Sequence, residues 1–426
     1  MAAGGKPFAD VLIVGGGIMG SCTALFLSRL APELSHRIKV VDKDLTFARS
    51  STALSAASIR HQFSNPVNVR MSQFGTQFIK NLSFFCDRTA QQEREAAGNR
   101  NGDGVVFDGG IGFRETGYLF LATQKGKDVL RENNEVQTAC GARISLLDSD
   151  RLNSKFPWVR QDPDGDGINS GSFGEEGEGS FDAYLLLQLI KKENMLRGIE
   201  YVQDEIMGGK LTENGDAVTG VAFRSSPLEM KSVGTVVNAA GAAGGRVAKF
   251  FGVNLPVVPR KRSVYAFSCP SEETVTGCPL TVLPCGTWFR REGKGFICGG
   301  SPPEGEEDPD VAPDDFDVHG DHFEERLWPS LAEAVPAFEA LKVTHAWAGH
   351  YETCLLDHNA VIGRHPRVSN FISVCGFSGH GLQHGPAAGR AVAEEIVLGR
   401  QESLSLSCFG FDRVLEGRPL LERGIV

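Results

Sequence analysis

The chain has no CxxC pair among its ten cysteines, no second GxGxxG, and no run of roughly 18 apolar residues. It also has no block of lysine and arginine longer than the PRKR at 259 to 262. Each absence removes a class. Scattered cysteines fit reduced thiols in an intracellular compartment rather than a disulfide framework or a zinc site. A pyridine-nucleotide disulfide reductase needs both the second glycine motif and a redox cysteine pair. Without a long apolar run no transmembrane segment is expected, so the protein reads as soluble or peripheral, and AYLLLQLI near 183 reads as one face of a core helix. Four residues, three of them basic, are too few to track a phosphate backbone, and the net charge is −10, so nucleic acid is not an expected partner. The first strand begins near Asp10, and no signal or transit peptide is visible in the chain.

What remains is a 426-residue chain, 41 % hydrophobic, able to bury a large core in two or three domains. Its most informative stretch is VLIVGGGIMGS at 11 to 21, an apolar strand running into Gly15, Gly17 and Gly20. Gly15 suits a tight turn, Gly17 lets backbone approach a pyrophosphate, and Gly20 lets the next helix pack closely on the strand. The helix start, with Ile18 and Met19, offers N–H groups and a positive dipole end to phosphates. A second strand, IKVVDKD, ends in Asp42 and Lys43 roughly 20 residues beyond Gly20, where a carboxylate takes ribose hydroxyls. Strand, glycines, helix, strand and acid together predict a dinucleotide site.

Further along, Met71, Phe74, Phe78 and Leu82 recur at helical spacing and read as core. Residues 90 to 104 read as an exposed polar loop, followed by strands with glycine turns. EGSFDAYLLLQLIKKENMLRG reads as an amphipathic helix, and SVGTVVNAAGAAGG (232 to 245) as a buried strand of the nucleotide sheet ending in small residues. VYAFS, WFRREG and GFICGG suggest a second sheet. FISVCG, the loop GFSGHGLQ (376 to 383) and the helix AAGRAVAEEIVLG then return to the first. DPDGDG (162 to 167) imitates a calcium loop, but Phe173 stands where a bidentate Glu is required, so it reads as a solvated turn. His319 and His322 read as surface residues, and no metal site is expected.

The GxGxxG, the NAAG turn and the late GFSGHG loop are three separated segments that point to one cofactor. With SSTALS and QFS, PRKRSVY, FRREG, LWPSLA and VPAFEALKV, AWAGHYE and GRAVAEEIVLGR, the chain resembles the D-amino-acid oxidase family of flavoproteins, which includes sarcosine oxidase, glycine oxidase and dimethylglycine dehydrogenase. The resemblance runs from about residue 10 to the end. It implies an α/β plus β fold. A discontinuous Rossmann-like FAD-binding domain of the glutathione-reductase-like subtype would use residues 8–90, 178–256 and 346–400. An inserted antiparallel-sheet substrate domain would use 91–177 and 257–345, leaving 401–426 as a C-terminal tail. FAD is the implied cofactor, bound noncovalently. Gly15, Gly17, Gly20 and the helix start would hold its pyrophosphate and Asp42 its ribose. Ser50 and Ser51 would touch the pyrophosphate and the flavin edge, and Val202 the adenine, while Ala240 and Gly241 bring the NAAG turn close. Gly379, His380, Gly381, Leu382 and Gln383 would line the pyrimidine side of the flavin.

The implied activity is oxidation of the C–N bond of an amino acid or secondary amine. Arg60, in the run IRH, would pair with the substrate carboxylate through its planar fork. The alternative is an internal acid as its partner. Tyr351 would form a site wall, with a core role as the alternative. The family's second carboxylate-binding lysine is replaced by Gln383, its oxygen-activating lysine falls near Ile297, and its covalent flavin cysteine falls near Gly349 or His350. These departures favour a dehydrogenase or slow oxidase. Arg290 or Arg291 would supply positive charge in place of the lysines. Within the family the likeness is greatest to a mitochondrial branch linked to assembly of respiratory complex I. That implies a mitochondrial location, with a cytoplasmic one as alternative, complex I subunits as partners beside a small amine or amino acid, and a weakly catalytic assembly role as the competing function.

Overall fold

The computed structural model describes residues 7–96, 109–162, 165–303, 305–318 and 320–424. Two eight-stranded sheets carry the architecture. The first has at its centre Ala9–Val14, apolar at nearly every position because both faces are covered, one by long helices and the other by a β-hairpin and a short helix. On one side it pairs in parallel with Ile38–Asp42 and then Glu200–Gln203. On the other it pairs in parallel with Ser226–Asn238, followed by Phe371–Cys375. Val361–Arg364 closes that edge antiparallel, and a hairpin of Val218–Phe223 and Ile206–Leu211 extends from Ser226–Asn238.

Helix Ile18–Leu30 is buried over most of its length against helix Gly381–Leu398. Small residues make the approach possible. A side-chain carbon at Gly389 would lie 2.7 Å from Cys22, and one at Gly385 2.8 Å from Ile18. The start of the late helix is thereby set beside the start of the first.

The second sheet runs Lys342–Cys354, Val257–Ser268, Gly295–Gly299, Trp288–Glu292, Leu280–Val282, Tyr118–Ala122, Ser170–Gly174 and Ile144–Leu147. It is antiparallel except where Leu280–Val282 pairs in parallel with Tyr118–Ala122. Phe338 packs edge-on against Phe267, Phe289 and Phe296 at its core, each ring centroid about 5 Å away. Residue 346, expected to open the last nucleotide-binding segment, lies inside Lys342–Cys354, which stays in the second sheet to its end. A two-stranded ribbon, Ser58–Ile59 with Gly179–Ser180, lies outside both sheets.

Two further expectations are corrected. The polar stretch expected to loop from residue 90 is helical through Asp87–Ala96, and its continuation to 104 lies outside the described residues. Residues 401–424 dock rather than trail: Arg413 is buried against Asp357 and donates to the carbonyls of Asn359 and Ala360. Glu422 accepts from the backbone and hydroxyl of Ser64. Among the described residues no helix is long and apolar enough to cross a membrane, and no group of three His, Cys, Asp or Glu is placed to hold a metal. Pro163 and Asp164 of the acidic turn, and His319, lie outside the described residues.

Candidate functional site

The glycine loop separates into two kinds of position. Gly15 sits at φ +100°, and a side-chain carbon there would lie 2.2 Å from the Ala239 carbonyl oxygen. One at Gly20 would lie 1.9 Å from the Gly15 carbonyl oxygen. The chain's own packing demands both glycines. Gly17 is different: at φ −62° its backbone suits any residue, and the nearest atom to an added carbon is Thr52 Oγ1 at 3.4 Å, an ordinary contact. No part of the polypeptide needs glycine there, so the bare backbone at this helix start is a cradle for something other than polypeptide.

Around it the other nucleotide candidates gather at the carboxyl ends of the parallel strands, where such sheets bind ligands. Asp42 accepts from Gly16 N–H at 2.8 Å and Asp44 N–H at 3.0 Å. Burial raises its pKa against the pull of both donors. Val202 pairs with Val41, Ala240 packs on Gly15, and Gly241 holds φ +54°. Lys43 is exposed.

Between the two sheets opens a cleft of ≈ 1270 Å³ of unfilled space, part of it open to solvent. Ile18, Ser51, Arg60, Tyr351 and the run Gly379, His380, Gly381, Leu382 and Gln383 line it. Gly15, Gly17, Met19, Gly20, Asp42, Lys43, Ser50, Val202, Ala240 and Gly241 do not, and those with strand-end positions form the arm beyond Ile18. Ser51 donates to the His350 carbonyl at 2.6 Å, while Ser50 Oγ accepts from Ala53 N–H, so Ser50 serves its own turn.

Arg60 is 4 % exposed. Its Nη1 donates to Tyr118 Oη at 2.9 Å and its Nη2 to His380 Nε2 at 3.0 Å. Nε has no partner, and the rings of Phe63, Tyr118 and Phe120 pack around the guanidinium. No carboxylate pairs with it among the described residues, so the internal-acid alternative lacks its acid. The nearest candidate, Glu178, spends its oxygens on His61 N–H at 2.6 Å and Gln62 Nε2 at 2.9 Å. Burial pushes the Glu178 pKa up to about 7 although Arg60 pulls it down. A buried cation without a counter-ion is costly, and this one faces a cleft.

Gln383, which stands where the family has the lysine, lines the cleft and also has a structural task. Its Oε1 accepts from the Arg60 N–H at 2.8 Å and the Ser72 hydroxyl at 3.1 Å, so it holds the Arg60 backbone in place. The Tyr351 ring fills the space over Gly379, where a side-chain carbon would come within 2.5 Å of it. Arg290 donates to the Ala56 carbonyl and pairs with Glu292 outside the cleft, Arg291 reaches the Glu272 carbonyl, and Ile297 is buried in its strand. Neither of these two strand arginines is among the residues that line the cleft. Cys354 is fully buried in the core with its thiol pKa raised by burial, and it does not line the cleft.

The lining residues that were not foreseen include Thr52, Tyr118, Arg262 and Glu352. Thr52 Oγ1 accepts the Ile18 N–H at 3.2 Å, tying the second serine-rich turn to the first helix. Arg262 stacks over Tyr351, 5.4 Å from the ring centroid. Glu352 accepts from Gly376 N–H at 3.1 Å, and burial pushes its pKa up to about 7.

A glycine cradle at a helix start, an acid at the next strand end, and a cleft continuing to a second helix start form the extended site of a flavin dinucleotide-dependent oxidoreductase. The family model for FAD dependent oxidoreductases, DAO, matches residues 10–395, and the chain belongs to that family. Among its relatives, FAD-dependent oxidoreductase domain-containing protein 1 of Xenopus laevis is 41 % identical over 98 % of this chain and 85 % of its own length. Among solved structures, L-proline dehydrogenase from P. horikoshii superposes with a TM-score of 0.77 at 22 % identity, covering 97 % of this chain and 99 % of that one. Glycine oxidase from Bacillus cereus gives 0.70 at 19 %, covering 94 % and 97 %. FAD is thus the cofactor, and the uncrowded backbone at Gly17 fits its pyrophosphate.

Proposed function

We propose that the protein oxidises the C–N bond of an amino acid or secondary amine that carries a carboxylate, using noncovalently held FAD. The observation that carries this reading is Arg60, a buried guanidinium turned to the cleft without an acid to balance it. Bound FAD supplies a two-electron acceptor for the C–H bond next to nitrogen. Gly15, Gly17, Gly20, Ile18 and Met19 would hold its pyrophosphate, Asp42 and Lys43 the ribose end, Val202, Ala240 and Gly241 the adenine side, and Ser50 and Ser51 the turn beside it. Gly379, His380, Gly381 and Leu382 would line the flavin, with the N-terminus of helix Gly381–Leu398 favouring negative charge.

The chain's own part is binding and orientation. Arg60 grips the carboxylate as a fork, its backbone fixed by Gln383. Tyr118 and His380 hold the guanidinium plane, and Tyr351 walls the space in which the amine must lie. The first sheet is read as the glutathione-reductase-like nucleotide domain and the second as the substrate domain. The solved neighbours include a proline dehydrogenase and a glycine oxidase, which supports an amino-acid substrate.

Among the described residues no lysine lines the cleft, which favours a dehydrogenase or slow oxidase. The same observation favours the second reading, a weakly catalytic mitochondrial flavoprotein assisting respiratory complex I assembly. Anaerobic titration of the FAD-loaded protein with N-methyl and cyclic amino acids, each beside its amine lacking the carboxylate, separates the two. Flavin bleaching by the acids alone supports the enzyme. No bleaching by any of them supports the platform.

A further inference from the structure

Arg60 is not the only guanidinium in the cleft. Arg262, on strand Val257–Ser268 of the second sheet, lines it as well. Tyr351 lies between them: Arg262 stacks on its ring, and both guanidinium charges act on its hydroxyl. The only carboxyl among the lining residues, Glu352, is tied to the Gly376 N–H. The cleft therefore has one cation just past the Ser58–Ile59 ribbon, one from the second sheet, and an aromatic wall between.

Unlike Arg60, Arg262 has an acid. Asp308 accepts from Nη1 at 2.8 Å and Nη2 at 2.7 Å. That acid comes from an acidic surface segment, residues 305–318, and is more exposed than the arginine it pairs with. Two further contacts hold the guanidinium without it: Nε donates to Ser301 Oγ at 3.2 Å and Nη1 to the Lys261 carbonyl at 2.8 Å. Asp308 in turn has a second cation in reach, Arg260 at 3.7 Å through Nε, whose Nη1 is paired with Asp310. An incoming carboxylate can thus take the fork of Arg262 while Asp308 shifts to Arg260, and neither charge is left alone.

We propose that the substrate is dianionic: an amino or imino acid whose first carboxylate is held by Arg60 and whose second acidic group displaces Asp308 from Arg262. This rests on Arg60 being a carboxylate anchor and adds that Arg262 determines which acids are preferred.

The test is binding of unreactive acids to the FAD-loaded protein, read by perturbation of the flavin absorbance. The series malonate, succinate, glutarate and adipate is compared with monocarboxylates of matching length. The expected result is that the best dicarboxylate binds about tenfold tighter than its monocarboxylate, roughly the worth of one charge-assisted pair. Arg262→Gln should erase that preference while leaving monocarboxylate affinity within about twofold. Asp308→Asn, a change at a half-buried position of the surface segment, should strengthen dicarboxylate binding by removing the competitor. Equal binding of both classes by the unmodified protein, a preference that survives Arg262→Gln, or no gain in Asp308→Asn would overturn the proposal. Arg60→Ala distinguishes the two levels. If monocarboxylate binding depends on Arg60 but no dicarboxylate preference exists, only the dianion inference falls. If monocarboxylates ignore Arg60→Ala, the anchor itself falls and the dianion inference with it.

Discussion

Arg60 Nη2 donates to His380 Nε2 at 3.0 Å, joining the chain just past the Ser58–Ile59 ribbon to the loop that opens its last long helix. A guanidinium can only donate, so Nε2 must present a lone pair and the His380 ring is neutral with its proton on Nδ1. The positive charge of the pair stays on Arg60. His380 orients that charge without competing for the anion.

The contrast between Gly17 and its neighbours predicts two phenotypes from one loop. Gly17→Val should fold, with the melting temperature of the apoprotein within about 3 °C of the parent, yet purify without FAD. Gly15→Val and Gly20→Val should lose about 3 kcal/mol or more of stability, because their side chains would meet backbone at 2.2 and 1.9 Å. Flavin content and melting curves check both. A Gly17→Val protein that retains full flavin would remove the cradle.

The flavin should be released by acid or heat. Cys354 is the cysteine nearest in sequence to the family's attachment point, but it is buried in the core and its thiol is held protonated. Absorbance of the supernatant after acid precipitation measures this, and colour remaining in the pellet would contradict it.

Stability should carry a pH signature from Glu352. Its pKa is raised from 4.5 to about 7 by burial, so the fold binds this proton more tightly than the unfolded chain does. The resulting stabilisation is complete below pH 4.5 and is lost as pH rises to about 7, roughly 3 kcal/mol in all. Glu352→Gln keeps the Gly376 contact and cannot ionise. Its melting temperature relative to the parent should therefore rise from pH 5 to about pH 7 and level off above it. His61 and His384, lowered to about 4 and about 3, act in the opposite direction but are common to both proteins. A difference that stays constant with pH would contradict this assignment.

The nucleotide arm was legible because its chemistry is local: glycine spacing, strand and acid fall within one βαβ unit, and Gly15, Asp42 and the strands around them stand where that pattern puts them. Arg60 was legible through likeness to sarcosine oxidases. Tyr118 and Arg262 were not, since no spacing announces them. The register Tyr118 with Gly174 and Arg262 with Gly349 sets them beside the cleft, and register is decided by long-range pairing. PRKR was weighed as a phosphate-binding block and as part of the family likeness, whereas its three charges meet Asp308, Asp310 and Asp315. Gln383 was read toward the substrate because it stands where sarcosine oxidases place a lysine; its hydrogen bonds to Arg60 and Ser72 belong to tertiary structure alone. Helix Asp87–Ala96 was missed because its polar composition offers little apolar periodicity.

The carboxylate anchor is tested most directly by reducing FAD-loaded Arg60→Ala, Arg60→Lys and unmodified protein anaerobically with the best amino acid and with its amine lacking the carboxylate. Because Arg60 has no acid partner to strand, Arg60→Ala should keep its flavin and its melting temperature. Stopped-flow reduction by the amino acid should weaken by about 2–4 kcal/mol, with the amine unaffected, and Arg60→Lys should recover only part of the loss, since an ammonium keeps the charge without the fork. Unchanged reduction by the amino acid in Arg60→Ala, or an equal loss for amine and amino acid, would contradict the account.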